Sequence, residues 1–402
     1  MSSPKLRFKE FSGNWNKNVI GSVISNKSKK FDPTKSKEDY PCIELEHLSQ
    51  QTGYILGYCS AKEQKSIKNY FDEGTVLFGK LRPYLKKYAL PNFKGVCSSE
   101  IWVLSSKILS PEYLFQYIQN KSFLELALIQ SGSKMPRAEW DIIADGDIYF
   151  PNDTEQTKIA NFLTTVDKKI SQLNEQHQLM IQYKKGVMQK VFSQEIRFKD
   201  DNGKEFEKWK ICTLSQLAYS YTGLSGKNKD DFGSGFAYIT YKQIFDNRKI
   251  DLSKVEFVEI SNDEKQNKVK INDLFFTTSS ETPDEVAFCS VLLDEFDSPI
   301  YLNSFCFGVR PKNQNELNSV YASFYFKSDS FRKKILHLAQ GSTRYNISKK
   351  EFMEIEFLLP CIEEQVKIAN YLSVLDQNIE ILAKQIEHAK AWKKGLLQQM
   401  FV

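Results

Sequence analysis

Apolar positions step by four and three, in strict alternation, through two long segments of the chain. The first register runs Ile159, Leu163, Val166, Ile170, Leu173, His177, Met180, Lys184, Val187 and Val191. The second runs Ile368, Leu372, Leu375, Ile379, Leu382, Ile386, Ala389, Lys393, Leu396 and Met400. A 3.5-residue apolar period belongs to helices that press a seam against a partner helix. Two long helices are therefore predicted, each a rod of roughly 58 Å for about 39 residues. Ile159, Leu163, Val166, Ile170 and Leu173 on one are expected to share a seam with Ile368, Leu372, Leu375, Ile379 and Leu382 on the other. Asp153 and Gln156 have capping-box spacing at the first helix start. His177, polar on an apolar seam, reads as a register-setting residue and not as a ligand.

The two segments are one segment written twice. Residues 151–192 and 360–401 align without a gap, with identities that include Pro151/Pro360, Glu155/Glu364, Gln156/Gln365, Asp167/Asp376, Gly186/Gly395 and Phe192/Phe401. The period is too long for a solenoid and marks a duplicated lobe-plus-helix unit. Two equivalent copies pair most naturally antiparallel, about a pseudo-two-fold axis. The lobe entrances repeat too: Arg7, Phe8 and Trp15 answer to Arg197, Phe198 and Trp209, the second copy carrying an insertion, DDNGKE, predicted as a surface turn. The chain divides into a first lobe (1–150), a central helix segment (151–196), a second lobe (197–359) and a C-terminal helix segment (360–402).

Inside the lobes the periodicity shortens. Ile43–Leu48, Thr75–Gly79 and Ile101–Leu104 are predicted strands, followed by a helix over Pro111–Leu128 capped by Ser110. The second lobe mirrors them with strands at Asp273–Thr277 and Phe305–Val309 and a helix through Val320–Leu338. Asp147–Phe150 and Ile355–Leu359 are predicted strands that run into the prolines before the long helices. Strands and helices without regular βαβ alternation predict α+β lobes. The expected fold is thus two similar mixed α/β lobes joined by two long antiparallel coiled-coil helices in a cyclic-repeat arrangement.

Charge refines this picture. The whole chain carries a net +5, and residues 1–150 hold 21 Lys and Arg against 16 Asp and Glu, while 197–359 hold 23 against 24. Only the first lobe is biased toward a polyanion. No run of 18 apolar residues exists to span a membrane. MSSPKLRFKEF lacks an apolar signal core. Seven scattered cysteines, none in Cys-x-x-Cys, suit reduced thiols, and a cytoplasmic location is expected.

No catalytic constellation is legible. The four histidines are isolated, Gly226-Lys227 continues into Asn228 and so is no P-loop, and the Asn-Pro-Pro-aromatic signature of adenine methyltransferases is absent. Glu63-Gln64-Lys65 has the end of a nuclease Glu-x-Lys, but no upstream aspartate pairs with it convincingly, and such triplets are common by chance. The legible chemistry is that of nucleic-acid contact. Lys27, Lys29 and Lys30, with Lys35 and Lys37, form a basic loop suited to phosphates. Lys80, Arg82, Tyr84, Lys86 and Lys87 sit where a strand runs into a turn fixed by Pro83, and arginine there can read guanine edges. Ser133, Lys134 and Arg137 in the first lobe, and Ser342, Thr343, Arg344 and Tyr345 in the second, occupy the equivalent Gly-Ser loop. Lys227, Lys229, Thr278 and Ser279 complete the second lobe's candidates. For each of these the bland reading is a solvated loop or turn.

The chain resembles the specificity (S) subunits of type I restriction–modification systems. The resemblance covers essentially the full length. It rests on Pro-x-x-x-Glu-Gln-x-x-Ile-Ala-x-x-Leu-x-x-x-Asp at Pro151–Asp167 and again at Pro360–Asp376, on the Lys-Lys-Gly…Phe endings at Lys184–Phe192 and Lys393–Phe401, on Arg-Phe-x-x-Phe…Trp at the first entrance, and on Phe78–Lys87. The second lobe departs from it: Phe275–Ser280 carries no basic residue where the first lobe has Phe78–Tyr84. The resemblance implies a subunit without activity of its own. Each lobe would be a target recognition domain reading half of a bipartite site in double-stranded DNA, and the helix pair would set the gap. Two methyltransferase (M) subunits would dock on the helices and use S-adenosylmethionine, and two restriction (R) subunits would use ATP and Mg²⁺. The competing expectation is a coiled-coil scaffold whose lobes bind protein; a stand-alone nuclease would need Mg²⁺-dependent cutting by the isolated chain.

Overall fold

A computed structural model describes residues 3–129, 135–261 and 263–402. It forms two compact units: Met1–Gln176 with Leu382–Val402, and His177–Ile381. The unit boundaries therefore fall inside the long helices, Asp153–Phe192 and Ile362–Met400, and each unit takes a lobe plus part of both. The sequence divides the chain at 150, 196 and 359 because the repeated helix segments and the repeated lobe entrance begin and end there; packing divides it where each helix stops touching one lobe's core.

In the first unit, Asn16–Val19 pairs antiparallel with Asp147–Phe150 and closes the lobe beside the helix start. One sheet has the order Ile24–Ser25, Ile101–Ser106, Val76–Gly79, Tyr88–Ala89. A second places Gly95–Cys97 between Lys68–Phe71 and Pro41–Ile43, the last contact being parallel. The second unit repeats the scheme. Lys210–Thr213 pairs with Glu356–Leu359, and Cys306–Pro311 lies between Ala218–Thr222 and Leu274–Thr277. Phe232–Ile239 meets Tyr301–Leu302 in parallel.

Four local expectations change. Ile43–Leu48 is not one strand: the strand ends at Ile43 and Leu45–His47 is a 3-10 turn, because His47 Nδ1 accepts the Glu44 N–H and pulls the chain round. The 111–128 segment is two helices, Pro111–Tyr117 and Lys121–Leu128. Asn120 caps the second by accepting the Phe123 N–H at 2.8 Å, an alternative to continuing the first. Ser328 does the same between Ser319–Tyr325 and Asp329–Ile335. The first long helix is capped by Asn152, which accepts the Glu155 N–H, and not by Asp153.

Gln156 is thereby free to hold lobe and helix together. It accepts the Ser110 N–H at 3.1 Å and donates to the carbonyls of Pro151 and Ile108. Gln365 makes the same three contacts with Asn318, Pro360 and Glu316. The glutamates beside them are buried carboxylates. Glu155 takes Arg7 in a two-pronged ion pair at 2.7 Å per bond, plus the Trp15 indole N–H. Glu364 takes Arg197 at 3.2 and 2.6 Å and the Trp209 indole. The repeated Arg…Trp entrance and the repeated Glu-Gln are thus two halves of one clamp. Each carboxylate pushes its arginine's pKa above the ordinary value, chiefly through the hydrogen bond.

The seam is continuous with the lobe cores. In the first unit Ile159, Leu163, Val166 and Ile170 share a core with Leu396, Leu397, Met400 and Phe401; in the second Ile368, Leu372 and Leu375 share one with Val191 and Phe192. In each unit the start of one long helix lies beside the end of the other, which is antiparallel pairing. Leu173 is also buried, whereas Ile379 and Leu382 are half-buried. Phe401 packs on Tyr113 and Tyr117, and Phe192 on Tyr321 and Tyr325. No helix among the described residues is long and apolar enough to cross a membrane.

Candidate nucleic-acid interface

In the first unit the strand Val76–Gly79 delivers Lys80 to a turn whose backbone is left-handed at Arg82 (φ 52°) and Lys86 (φ 51°). Pro83 between them limits the freedom of the loop. Arg82 and Tyr84 face solvent. The turn is stitched to the segment after the second candidate loop. The Arg82 N–H donates to Pro136 O at 2.7 Å, Leu81 pairs with Arg137, and the Ala138 N–H donates to Lys80 O at 2.8 Å. Two loops singled out separately in the sequence are thus one surface.

The turn at residues 98–101 joins it. The Lys80 N–H donates to Glu100 O at 2.9 Å, and Arg137 forms an ion pair with the Glu100 carboxylate at 3.0 Å. Asn69 donates to Ser98 O and Ile101 O and accepts from Lys30 Nζ at 2.5 Å. Lys30 therefore belongs to the same neighbourhood, with Lys27 and Lys29 exposed just before it. Lys87 is partly spent inside the fold, donating to Leu45 O. Lys86 lines a cleft of about 660 Å³ between the lobe and the helix ends of the same unit, together with Tyr54, Lys390 and Lys394. Ser133 and Lys134 lie outside the described residues.

The second unit makes the same join with different chemistry. Ser279 and Ser280 pair with Asn346 and Tyr345, the Thr278 N–H donates to Phe305 O at 2.9 Å, and the Ile347 N–H donates to Thr278 O at 3.0 Å. Position for position, Thr278 stands for Lys80, Ser279 for Leu81, Ser280 for Arg82, Phe305 for Glu100 and Asn346 for Arg137. Gly341 is required here: its φ is +135°, and a Cβ would meet Arg344 O at 2.0 Å. Ser342, Thr343 and Arg344 are exposed and Tyr345 is half-buried. Arg344 lines a cleft of about 330 Å³ with Tyr241, Ser279, Glu281 and Phe305.

One candidate is placed elsewhere. Lys227 has a side chain only 6% exposed and pairs with Glu264 at 2.6 Å, holding that carboxyl down at about 2. Its charge is neutralised within the fold, so it offers no free ammonium to a phosphate. Lys229 is exposed but is followed by Asp230 and Asp231. Sequence reasoning missed Glu100, Asn69 and Phe305, which hydrogen bonds between distant segments bring to the loops, and Glu281, which directly follows Ser280 and lines the same cleft.

The fold defines a class of chain with two like units, each a lobe packed on antiparallel segments of the two long helices and presenting one composite loop surface. The type I restriction modification DNA specificity domain matches the chain twice, over residues 13–182 and 206–391, and the chain belongs to that family. The Methanocaldococcus jannaschii type I restriction enzyme MjaVIII specificity subunit is 25% identical over 331 residues, 76% of this chain and 73% of that protein. The Escherichia coli K12 EcoKI specificity subunit is 24% identical over 277 residues, 65% and 57% of the respective lengths. In fold, the chain matches a type I restriction–modification S subunit from M. genitalium with a TM-score of 0.54 at 16% identity, covering 100% of this chain and 99% of that one. A chain from work on complex assembly and conformational transition of the type I R-M system gives 0.60 at 18% identity, covering 95% and 96%. The protein is a type I specificity subunit, and the scaffold reading is not favoured.

Proposed function

We propose that each unit reads one half of a bipartite site in double-stranded DNA through its composite loop surface. The observation that carries this is the duplicated join: the same two loops meet at the same register in both units, with side chains that differ. A surface built twice and filled differently suits two readers of two sequences. In the first unit Lys27, Lys29, Lys30 and Lys80 would position the phosphates, while Arg82 and Arg137 would face base edges. In the second, Thr278, Ser279, Ser342, Thr343, Arg344 and Tyr345 would do this work, with Lys229 at the margin.

In this reading the helix pair sets the gap between half-sites and docks two M subunits. Catalysis belongs to the partners. The M subunits would hold S-adenosylmethionine and methylate adenine, two R subunits would use ATP and Mg²⁺, and this chain would hold no cofactor of its own. The complex works on the cell's own DNA, hence in the cytoplasm. Methylation sequencing of cells with and without the gene tests the reading. A split adenine-methylation motif should vanish with the gene. Removing one matching heptad from both long helices keeps the seam in register and shortens the pair by about 10 Å, or about three base pairs. The gap should shorten while both half-sequences stay the same. Unchanged spacing with altered half-sequences would sink the ruler, and Mg²⁺-dependent cutting by the isolated chain would overturn the division of labour.

A further inference from the structure

The second unit presents an aromatic ring where the first presents a carboxylate. Phe305 O accepts the Thr278 N–H just as Glu100 O accepts the Lys80 N–H, so the two side chains leave the same point of the same turn. Glu100 is balanced by Arg137. Phe305 has no such partner and is 58% exposed, although the unit's own cores are rich in phenylalanine. The turn that carries it is tied down on both sides. The Phe305 N–H donates to Asn303 Oδ1 at 2.9 Å, the Asn303 N–H to Ile239 O at 3.0 Å, and the Cys306 N–H to Asn303 O at 3.1 Å. A ring held in water by a fixed turn gains free energy when a ligand covers it.

The neighbours indicate what could cover it. Phe305 shares its cleft with Ser279, Glu281 and Arg344, and the Tyr241 hydroxyl fixes the floor by donating to Ser279 O at 2.6 Å. Hydroxyl, carboxylate and guanidinium each exchange hydrogen bonds with base edges. A phenyl ring cannot, and the apolar group a duplex offers in its major groove is the 5-methyl of thymine. We infer that Phe305 is a specificity-determining residue of the second unit and packs on a thymine 5-methyl in that unit's half-site. The inference rests on the reading of this surface as a DNA interface.

The test uses the full chain assembled with its methyltransferase subunits and a duplex carrying the methylated motif. Each thymine of the motif, on either strand, is replaced singly by deoxyuridine, which removes only the methyl. At one position the replacement should weaken binding about five-fold. The Phe305→Ala complex should bind the thymine and deoxyuridine duplexes equally at that position, and Phe305→Leu should retain part of the difference. Melting of both variants should match the parent, since the ring packs little. A half-site without thymine, a parent insensitive to every replacement, or a Phe305→Ala complex that keeps the parent's sensitivity would each overturn the assignment while leaving specific binding intact. Should the complex bind no sequence preferentially, the DNA-reading proposal itself fails, which is a different result.

Discussion

Asp167 in the first unit accepts hydrogen bonds from Gln116 and Lys393, the lysine at 2.6 Å. Its counterpart in the second unit, Asp376, accepts from Lys184 and from Arg248, the arginine at 2.8 Å. The lysine from the neighbouring helix is the same in both. The lobe's contribution has changed from a neutral amide to a guanidinium stacked 4.0 Å from the Phe324 ring centre. The difference separates two kinds of constraint. A residue that answers to the other copy of the helix must fit that copy, and it is duplicated. A residue on the loop surface, whose partner would be a ligand, is free to diverge, as Lys80 and Arg82 have against Thr278 and Ser280.

The largest expected effect comes from breaking what is shared. Glu155→Ala strands the Arg7 guanidinium and Trp15 indole, and Glu364→Ala does the same to Arg197 and Trp209. Each should cost about 3–5 kcal/mol, because removing one partner of a buried pair leaves the other uncompensated. Hydrogen exchange should place the loss in the unit that carries the substitution. Equal loosening of both units by either variant would contradict a duplicated, locally acting clamp.

Much of this was legible in the chain. The four-three alternation showed both helices, and the gapless repeat showed that they are copies, because a seam leaves a period in the sequence. Glu155 and Arg7 were visible as repeated residues but not as partners: they lie 148 positions apart, and no local pattern reports a contact made by closing a lobe. The same holds for Phe305 and Glu100. Lys227 misled because a lysine in a Gly-rich loop looks solvated, and Glu264, which neutralises it, comes from another segment.

The next effect sharpens the contrast between the reading surfaces. Arg82→Ala should relax base preference in one half-site and Arg344→Ala in the other. Each should cost about 1–3 kcal/mol of discrimination if the guanidinium reads a guanine. Competitive binding with randomised half-sites would show it. A uniform loss across all sequences would instead make that arginine a phosphate contact.

The smallest effect tests the Asp167 and Asp376 surroundings directly. Gln119 of the first unit accepts from Lys393 at 2.7 Å, and the residue in its place in the second is Lys327, whose Nζ donates to Asn247 O at 2.9 Å. Burial lowers the Lys327 pKa from 10.5 to about 8, with Cys289 and Asp376 opposing it and Arg248 and Lys184 adding repulsion. The folded chain then binds this proton less tightly than the unfolded chain does. Between about pH 8 and 10.5 the unfolded state holds the extra proton, so stability rises with pH across that window. Below it the cost of burying the charge is present in full. Lys327→Gln copies the first unit and removes that cost. Set against the lost hydrogen bond, the variant should be more stable at pH 7 by about 1 kcal/mol. The advantage should fade as the pH passes 8 and be gone by 10.5. Denaturant unfolding at several pH values reads this directly, and an advantage independent of pH would assign it to packing instead of charge.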